Sequence, residues 1–262
     1  EMVADNIIND TYNSYEQIIK DLKIIGVQKF QSLFFIDFSA SNNIRQNHIK
    51  VLKENPYFKT LHAIKKVISD FDEDQIYPTY RFGCVRTKDH IVLPLGKKEN
   101  DYSPEQPHEA EIKGFNEVIQ TYQTACDHIT MSGPTALNAA FKKSIEYSQQ
   151  IRNRHIISFI LTDGGSSCPL LDIQTLKEAS NYPINFIIIS AGPQKDENLQ
   201  LLDDVIGREF DNCQFVCLQN IQELTDAQFV SEINADVLAL HMFMEIPESH
   251  KKMLELGILI HE

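Results

Sequence analysis

The chain of 262 residues, 42% of them hydrophobic, is long enough for one large α/β domain with a substantial core. Its 37 acidic and 24 basic residues give a net charge of −13, which disfavours nucleic acid and anionic membrane surfaces as partners. No apolar run approaches the roughly 18 residues of a membrane span, and the five scattered cysteines are typical of free thiols in a reducing compartment. We therefore expect a protein of the cytoplasm or nucleus that does not insert into membranes.

Short apolar segments rich in β-branched and aromatic residues alternate along the chain with segments of helical periodicity. The predicted strands are residues 33–37, 78–83, 91–93, 156–162, 184–190 and 214–218. The predicted helices are residues 14–22, 57–71, 115–126, 136–149, 171–180 and 228–244. This alternation is typical of a doubly wound α/β sheet with helices on both faces, whose ligand crevice lies beyond the carboxyl ends of the strands.

Polar side chains follow the first of these strands, where Asp37, Ser39 and Ser41 occupy alternate positions. Three oxygen-bearing side chains at this spacing suit a hard cation such as Mg²⁺, which prefers near-octahedral oxygen coordination. Taken alone, the same residues fit a turn or a helix N-cap equally well. The motif therefore needs support from other loops at the same edge of the sheet.

Two further loops carry oxygen groups to that edge. Asp163 ends another apolar strand and is followed by Gly164-Gly165, which allows the backbone to turn sharply away. Thr135 directly precedes the helix predicted at residues 136–149, so its hydroxyl either caps that helix or faces the crevice. Asp163 therefore favours a metal site at Asp37, whereas the role of Thr135 stays open between a helix cap and a ligand.

Several longer motifs carry a family resemblance. They are Asp37-Phe38-Ser39-Ala40-Ser41-Asn42, Asn55-Pro56-Tyr57, Pro78-Thr79-Tyr80-Arg81-Phe82-Gly83, Ser132-Gly133-Pro134-Thr135 and Leu161-Thr162-Asp163-Gly164. They resemble the metal-ion-dependent adhesion site of von Willebrand factor A domains, and in detail the copine family. Toward the ends, Tyr15-Glu16-Gln17 and Met244-Glu245-Ile246-Pro247 are most similar to the copine-like domain of plant RING-type ubiquitin ligases.

This resemblance, which extends over nearly the whole chain, implies both fold and site. It implies a mostly parallel six-stranded sheet with one antiparallel edge strand, an N-terminal helical extension at residues 1–30 and a copine-type domain at residues 31–262. It further implies that Mg²⁺, with Mn²⁺ or Ca²⁺ as alternatives, is held by Asp37, Ser39, Ser41, Thr135 and Asp163. The sequence of the loop at residues 164–169 differs from the one usual in the family. The resemblance therefore does not specify which residues border the metal site.

The function implied first is a protein-binding module, in which a carboxylate of a partner protein completes the coordination of the ion. An alternative is the substrate-recruiting part of a RING-type ubiquitin ligase whose RING lies outside this chain; peripheral membrane attachment would likewise need domains outside it. A magnesium-dependent hydrolase is disfavoured because the sequence contains neither a phosphate-binding Gly-x-x-x-x-Gly-Lys-Ser/Thr loop nor Gly-x-Ser-x-Gly. We therefore assign no catalytic residue, and the oligomeric state stays open.

The terminal helix allows two interpretations. In the family that this chain resembles, movement of that helix can accompany ligand binding. In this sequence, residues 230–244 have the spacing of an amphipathic helix that packs on a core, and packing is the interpretation that we adopt.

Overall fold

The computed structural model describes residues 12–27, 29–45, 47–48, 54–68, 71–72, 74–106, 108–192, 196–221 and 233–260. Within these ranges the strands are β1 (Gln31–Asp37), β2 (Ile76–Phe82), β3 (Leu93–Pro94), β4 (Glu111–Lys113), β5 (Ile156–Thr162), β6 (Ile184–Ser190) and β7 (Cys213–Cys217). The α-helices are α1 (Tyr15–Ile24), α2 (Ala40–Ile44), α3 (Pro56–Ile68), α4 (Phe115–His128), α5 (Asn138–Ile151), α6 (Pro169–Ala179), α7 (Glu197–Asp203), α8 (Ala235–Phe243) and α9 (Ile246–Glu255).

Six strands form one sheet in the order β3-β2-β1-β5-β6-β7. The five longer strands run parallel to their neighbours, whereas the two-residue strand β3 pairs antiparallel with β2 at the edge. This arrangement confirms the predicted mostly parallel sheet with an antiparallel edge strand. The three-residue strand β4 pairs antiparallel with the start of β2 and adds a short extension that the sequence pattern did not reveal.

The central strands are buried on both faces, since every residue of β1, β5 and β6 is buried. Alternate residues of a strand point to opposite faces, so Phe34 and Ile36 join one apolar cluster while Leu33 and Phe35 join another. The first cluster lies beneath α1, α3, α4 and α8, and the second beneath α5, α6 and α7. Helices on both faces therefore leave the strand ends as the accessible edges of the sheet.

The strand boundaries follow the apolar pattern closely. β5 and β6 begin and end where the sequence predicts them. β1 begins two residues before the predicted start, because the polar Gln31 and Ser32 are buried and pair with β5. β3 lies at Leu93–Pro94, near the segment predicted at residues 91–93.

The two ends of the described chain pack on the same side of the sheet. Tyr15, in α1, makes aromatic contacts with Phe71 and with Phe243 of α8. Part of the helix predicted at residues 228–244 lies outside the described residues, and α8 forms the remainder. Pro247 lies beyond that helix, as expected, but in the first turn of α9, where the missing N–H of proline breaks no helical hydrogen bond. The division into residues 1–30 and 31–262 stays a prediction.

None of the helices that the structure describes is long and apolar enough to span a membrane.

Candidate metal site

Asp37 ends β1 and is fully buried at the carboxyl edge of the sheet. Its Oδ1 accepts a hydrogen bond of 2.7 Å from the backbone N–H of Ser39. Its Oδ2 accepts another of 2.7 Å from the hydroxyl of Thr162, the last residue of β5. The carboxylate is thus held in one orientation by both the loop that follows its own strand and the neighbouring strand.

Two hydroxyls connect this loop to the second carboxylate. The Oγ atoms of Ser39 and Ser41 lie 3.0 Å apart, and the Ser41 hydroxyl donates to Oδ1 of Asp163 at 2.7 Å. Since β1 and β5 are adjacent parallel strands, their carboxyl ends bring residues that are more than 120 positions apart in sequence into direct contact. The structure therefore brings four of the five predicted site residues into one hydrogen-bonded group.

Thr135 reaches the same place from a third loop. Its hydroxyl is buried and has no hydrogen-bond partner among the described residues. Gly83, directly after β2, shows where it points: a Cβ atom at Gly83 would lie 2.9 Å from Thr135 Oγ1 and 2.7 Å from Asp37 Oδ1. The two oxygens thus both lie close to Gly83, where any side chain would collide with them.

The position of Thr135 is fixed by α5 and α6. Its backbone carbonyl accepts hydrogen bonds from both the N–H and the hydroxyl of Ser167, at 2.7 Å and 2.8 Å. Asp172 of α6 is fully buried and accepts a 2.7 Å hydrogen bond from the N–H of Asn138, the first residue of α5. These contacts tie the Thr135 loop to the loop that follows Asp163.

The turn after Asp163 depends on glycine. A Cβ atom at Gly192 would lie 1.9 Å from the carbonyl oxygen of Asp163, so only glycine fits at that position. Gly164 adopts φ +126°, and the N–H of Gly165 donates to Asp196 at 2.5 Å. The chain can therefore leave β5 abruptly and keep Asp163 at the edge of the sheet.

Burial disfavours the ionised form of both carboxyl groups, Asp37 and Asp163. Burial, reinforced by the negative charge of Asp163, raises the pKa of Asp37 to about 7. Burial also raises the pKa of Asp163, although hydrogen bonds from Ser41 and the charge of Arg45 oppose the shift. No cationic side chain in the described part of the chain pairs with Asp37. A bound cation would compensate this buried negative charge.

Three polar residues that the sequence interpretation did not assign also contact the site. Arg45 donates to the carboxylate and the backbone carbonyl of Asp163. Asn42 donates to the carbonyl of Asp37 and to Ser39 Oγ, both at 3.2 Å. His48 contacts the Asp37 carbonyl as well. Asn42 belongs to the quoted motif, but a sequence pattern cannot show the other two contacts, since the loop geometry decides them.

The donor set fits a hard divalent cation. Two carboxylates and three hydroxyls are oxygen ligands of the kind that Mg²⁺, Mn²⁺ and Ca²⁺ prefer. The unpartnered hydroxyl of Thr135 and the space beside Gly83 agree with such a ligand set. Across the described ranges, no cluster of three or more His, Cys, Asp or Glu side chains is arranged to hold a metal ion.

Comparison with known proteins gives the family. The family model for copines matches residues 46–262. Copine family protein 2 of Caenorhabditis elegans is 29% identical over 261 residues, which cover 95% of this chain but 3% of that protein. The E3 ubiquitin-protein ligase RGLG3 of Arabidopsis thaliana is 27% identical over 271 residues, which cover 95% of this chain and 70% of the ligase. The chain thus spans very little of the first relative and just over two thirds of the second.

Solved structures agree on the fold. Manganese-loaded TRAP protein of Plasmodium vivax matches with a TM-score of 0.50 at 12% identity, over 79% of this chain and 75% of that one. A von Willebrand factor type A protein from Catenulispora acidiphila matches with a TM-score of 0.47 at 12% identity, over 86% of this chain and 43% of that one. The match to the TRAP protein agrees with the mostly parallel α/β sheet described above. Because the copine match covers most of its length, the chain belongs to the copine family.

Proposed function

We propose that the chain is a protein-binding module, in which a divalent ion held by Asp37, Ser39, Ser41, Thr135 and Asp163 engages a carboxylate of a partner protein. The observation that carries this proposal is the convergence of the buried Asp37 carboxylate and the unpartnered Thr135 hydroxyl beside Gly83. When bound, the ion supplies a positive centre that attracts an anionic group to an otherwise acidic protein. We propose Mg²⁺ as the ion, with Mn²⁺ or Ca²⁺ as alternatives.

The surroundings of the site favour a macromolecular partner. Ile44, the last residue of the short helix α2 that carries Ser41, is 84% exposed, and Leu170, at the start of α6, is 82% exposed. Both follow strands whose carboxyl ends form the site. Exposed apolar side chains beside a charged centre are the composition of a protein-binding surface, where apolar contact contributes affinity and the charge contributes specificity.

The similarity to RGLG3 supports a second, more specific role. The match covers most of the length of that ubiquitin ligase. We therefore propose, as the alternative, that the module recruits substrates for ubiquitin transfer, with the catalytic RING outside the 262 residues. A cytoplasmic location belongs to both proposals.

Direct metal binding is the first test. The metal-stripped chain is titrated with Mn²⁺ and with Mg²⁺ in a calorimeter, next to Thr135→Val, which keeps the shape of the side chain and removes its hydroxyl. Thr175→Val is the matched control, because Thr175 is also buried but its hydroxyl bonds to Leu171 within α6. We expect Thr135→Val to weaken binding at least about tenfold, in line with the loss of one of few ligands, and the control to bind as the wild type does. A wild-type chain that binds neither ion refutes the proposal.

The partner is tested separately. The immobilised chain is incubated with cell extract in Mg²⁺, bound proteins are released with chelator, and each is identified by mass spectrometry. For a released protein, Asp or Glu residues in the bound segment are replaced by Asn or Gln. We expect one such replacement to abolish binding to the wild-type chain. Two outcomes would contradict an ion that engages a carboxylate: partner binding that persists in chelator, and partner binding that no carboxylate replacement weakens. Neither outcome would affect the result of the metal-binding titration.

A further inference from the structure

His48 lies directly behind the candidate metal site and is almost completely buried. Its ring stacks on Phe38, with 4.4 Å between the ring centroids and 9° between the planes. Tyr57 of α3 covers the ring as well, at a centroid distance of 4.5 Å. The imidazole is therefore held firmly between the loop after β1 and the helix that follows.

The two ring nitrogens of His48 have different partners. Nε2 lies 2.8 Å from the backbone carbonyl of Asp37, and a carbonyl can only accept, so Nε2 carries the proton. Nδ1 lies 2.7 Å from the hydroxyl of Tyr122, which contacts the ring from the opposite side. Each ring nitrogen of His48 thus has a hydrogen-bonding partner, Asp37 on one side and Tyr122 on the other.

The hydrogen bond to Asp37 acts on the backbone at the point where β1 ends. The N–H of the Asp37–Phe38 peptide still donates to the carbonyl of Phe82 at 2.8 Å, whereas its buried carbonyl accepts from the side chains of His48 and Asn42. A buried carbonyl that loses a partner costs free energy, so His48 and Asn42 both help to fix the peptide plane next to the Asp37 side chain.

The same network extends into the helices. Tyr122 belongs to α4, and its hydroxyl lies 3.1 Å from Oδ1 of Asn55. That oxygen accepts the N–H of Phe58 at 2.9 Å, in the first turn of α3. A chain of hydrogen bonds through His48 thus connects Asp37 to α3 and α4. Neither helix supplies an oxygen ligand to the candidate site.

We propose that His48 is a positioning residue for the metal site: in contact with Tyr122 on one side, it holds the Asp37 carbonyl on the other and so helps to place the Asp37 side chain for the ion. This inference rests on the proposed function, because it concerns affinity for the ion of that same site. Residues that orient metal ligands in this way typically change metal affinity about 10- to 100-fold when replaced.

The test compares Mn²⁺ affinities of the 262-residue chain with the stability of the metal-free protein. His48→Phe keeps the aromatic stack and removes both hydrogen bonds, and His155→Phe is its matched control, since His155 is equally buried between a strand and a helix but distant in the fold. We expect His48→Phe to weaken Mn²⁺ binding about 10- to 100-fold. His155→Phe is expected to lower the denaturation midpoint while leaving the affinity unchanged.

Two milder variants keep the test decisive if His48→Phe does not fold. His48→Gln presents an amide N–H near the position of Nε2 and is expected to retain affinity within about threefold of the wild type. Tyr122→Phe removes the hydroxyl that contacts Nδ1 of His48 and is expected to weaken binding several-fold. Tyr147→Phe, which loses a 3.4 Å contact with Gln31, is the control and is expected to have no effect on affinity.

The outcomes separate the two proposals. Wild-type affinity in both His48→Phe and Tyr122→Phe overturns the role of His48 and leaves the metal site intact. Equal losses in His155→Phe and His48→Phe also overturn it, because general destabilisation would then explain both. A wild-type chain that binds no Mn²⁺ overturns the metal site, and the positioning role with it.

Discussion

The guanidinium group of Arg45 donates to the carboxylate of Asp163, with 2.8 Å between NH1 and Oδ2, and also to the backbone carbonyl of the same residue. Asp163 is fully buried, whereas the Arg45 side chain is 40% exposed. The positive charge thus partly compensates one of the two site carboxylates from the solvent side. It also opposes the approach of a second cation, so the same contact has opposite effects on the metal-free and metal-bound protein.

Replacement of Arg45 by Gln is therefore expected to tighten Mn²⁺ binding about three- to tenfold, because a repulsive charge near the ion is removed. The metal-free protein should become less stable by about 1 kcal/mol, a value reduced by the solvent exposure of the arginine. Calorimetry and denaturant unfolding measure the two effects. Arg86→Gln is the control, since Arg86 bonds to carbonyls of Lys98 and Glu99 elsewhere. Unchanged or weaker Mn²⁺ binding in Arg45→Gln contradicts this account.

Asp37→Asn should separate stability from metal binding. The pKa of Asp37 is raised to about 7, so the metal-free protein loses stability as the pH rises from about 4 through 7 and this carboxyl ionises in a buried place. The amide cannot ionise, and at pH 8 without metal the variant should be more stable than the wild type by on the order of 2 kcal/mol. Added Mn²⁺ should stabilise the wild type alone. Thermal unfolding at pH 5 and pH 8, with and without Mn²⁺, provides the comparison; a less stable metal-free variant at pH 8 contradicts the prediction.

Gly83→Ala should close the site. The added Cβ atom would lie 2.7 Å from Asp37 Oδ1 and 2.9 Å from Thr135 Oγ1, and the backbone has φ +74°. Gly114→Ala is a matched control because Gly114 has a similar φ of +84° but no atom within 4 Å of the new Cβ position. Both variants carry about 1 kcal/mol of left-handed backbone strain. We expect only Gly83→Ala to lose Mn²⁺ binding in calorimetric titration. Equal binding by the two variants would mean that the space beside Gly83 is not where the ion lies.

A pair of buried histidines should make the protein sensitive to acid. Nδ1 of His155 lies 2.9 Å from Nδ1 of His250 in α9, and its Nε2 lies 2.7 Å from Asn185 Oδ1. Burial, and then the proximity of His250, lower the pKa of His155 to about 3. The unfolded chain therefore binds a proton that the folded chain excludes, and the stability from this residue is lost as the pH falls below about 6.5.

The difference between the wild type and His155→Phe isolates this effect from that of Asp37, which has the opposite sign in the same range. Denaturant unfolding at pH 7, 6 and 5 should show the advantage of the wild type shrinking by up to about 1.4 kcal/mol per pH unit. A constant difference across this range would show that His155 does not titrate on unfolding as described.

Much of the fold follows from periodicity because both faces of the central strands are buried. β5 and β6 are continuous apolar runs with defined ends, and both are predicted to the residue. β1 is longer than its apolar run, since Gln31 and Ser32 are polar yet buried. Burial of such residues depends on partners that a local pattern does not contain.

For the candidate site, too, the sequence reveals some residues, and other contacts depend on the fold. Asp37 and Asp163 are recognisable because each directly follows an apolar strand, and parallel strands bring such ends together. Thr162 donates to Asp37, but in sequence it is only the last residue of a strand. The contacts of Arg45 and His48 depend on how the loop after β1 folds back over the sheet, which no residue spacing specifies.

The attachment of the Thr135 loop to α6 and the segment before it bears on the ion preference of the proposed site. Ser167 holds the Thr135 carbonyl, and Asp172 of α6 holds the start of α5, whereas Asp37 is fixed to the central strand. A shift of α6 relative to the sheet would therefore carry the Thr135 hydroxyl with it and leave the Asp37 carboxylate in place. In the proposed site, such a shift would change the distance between these two oxygens, and with it the preference between a small ion such as Mg²⁺ and a larger one such as Ca²⁺.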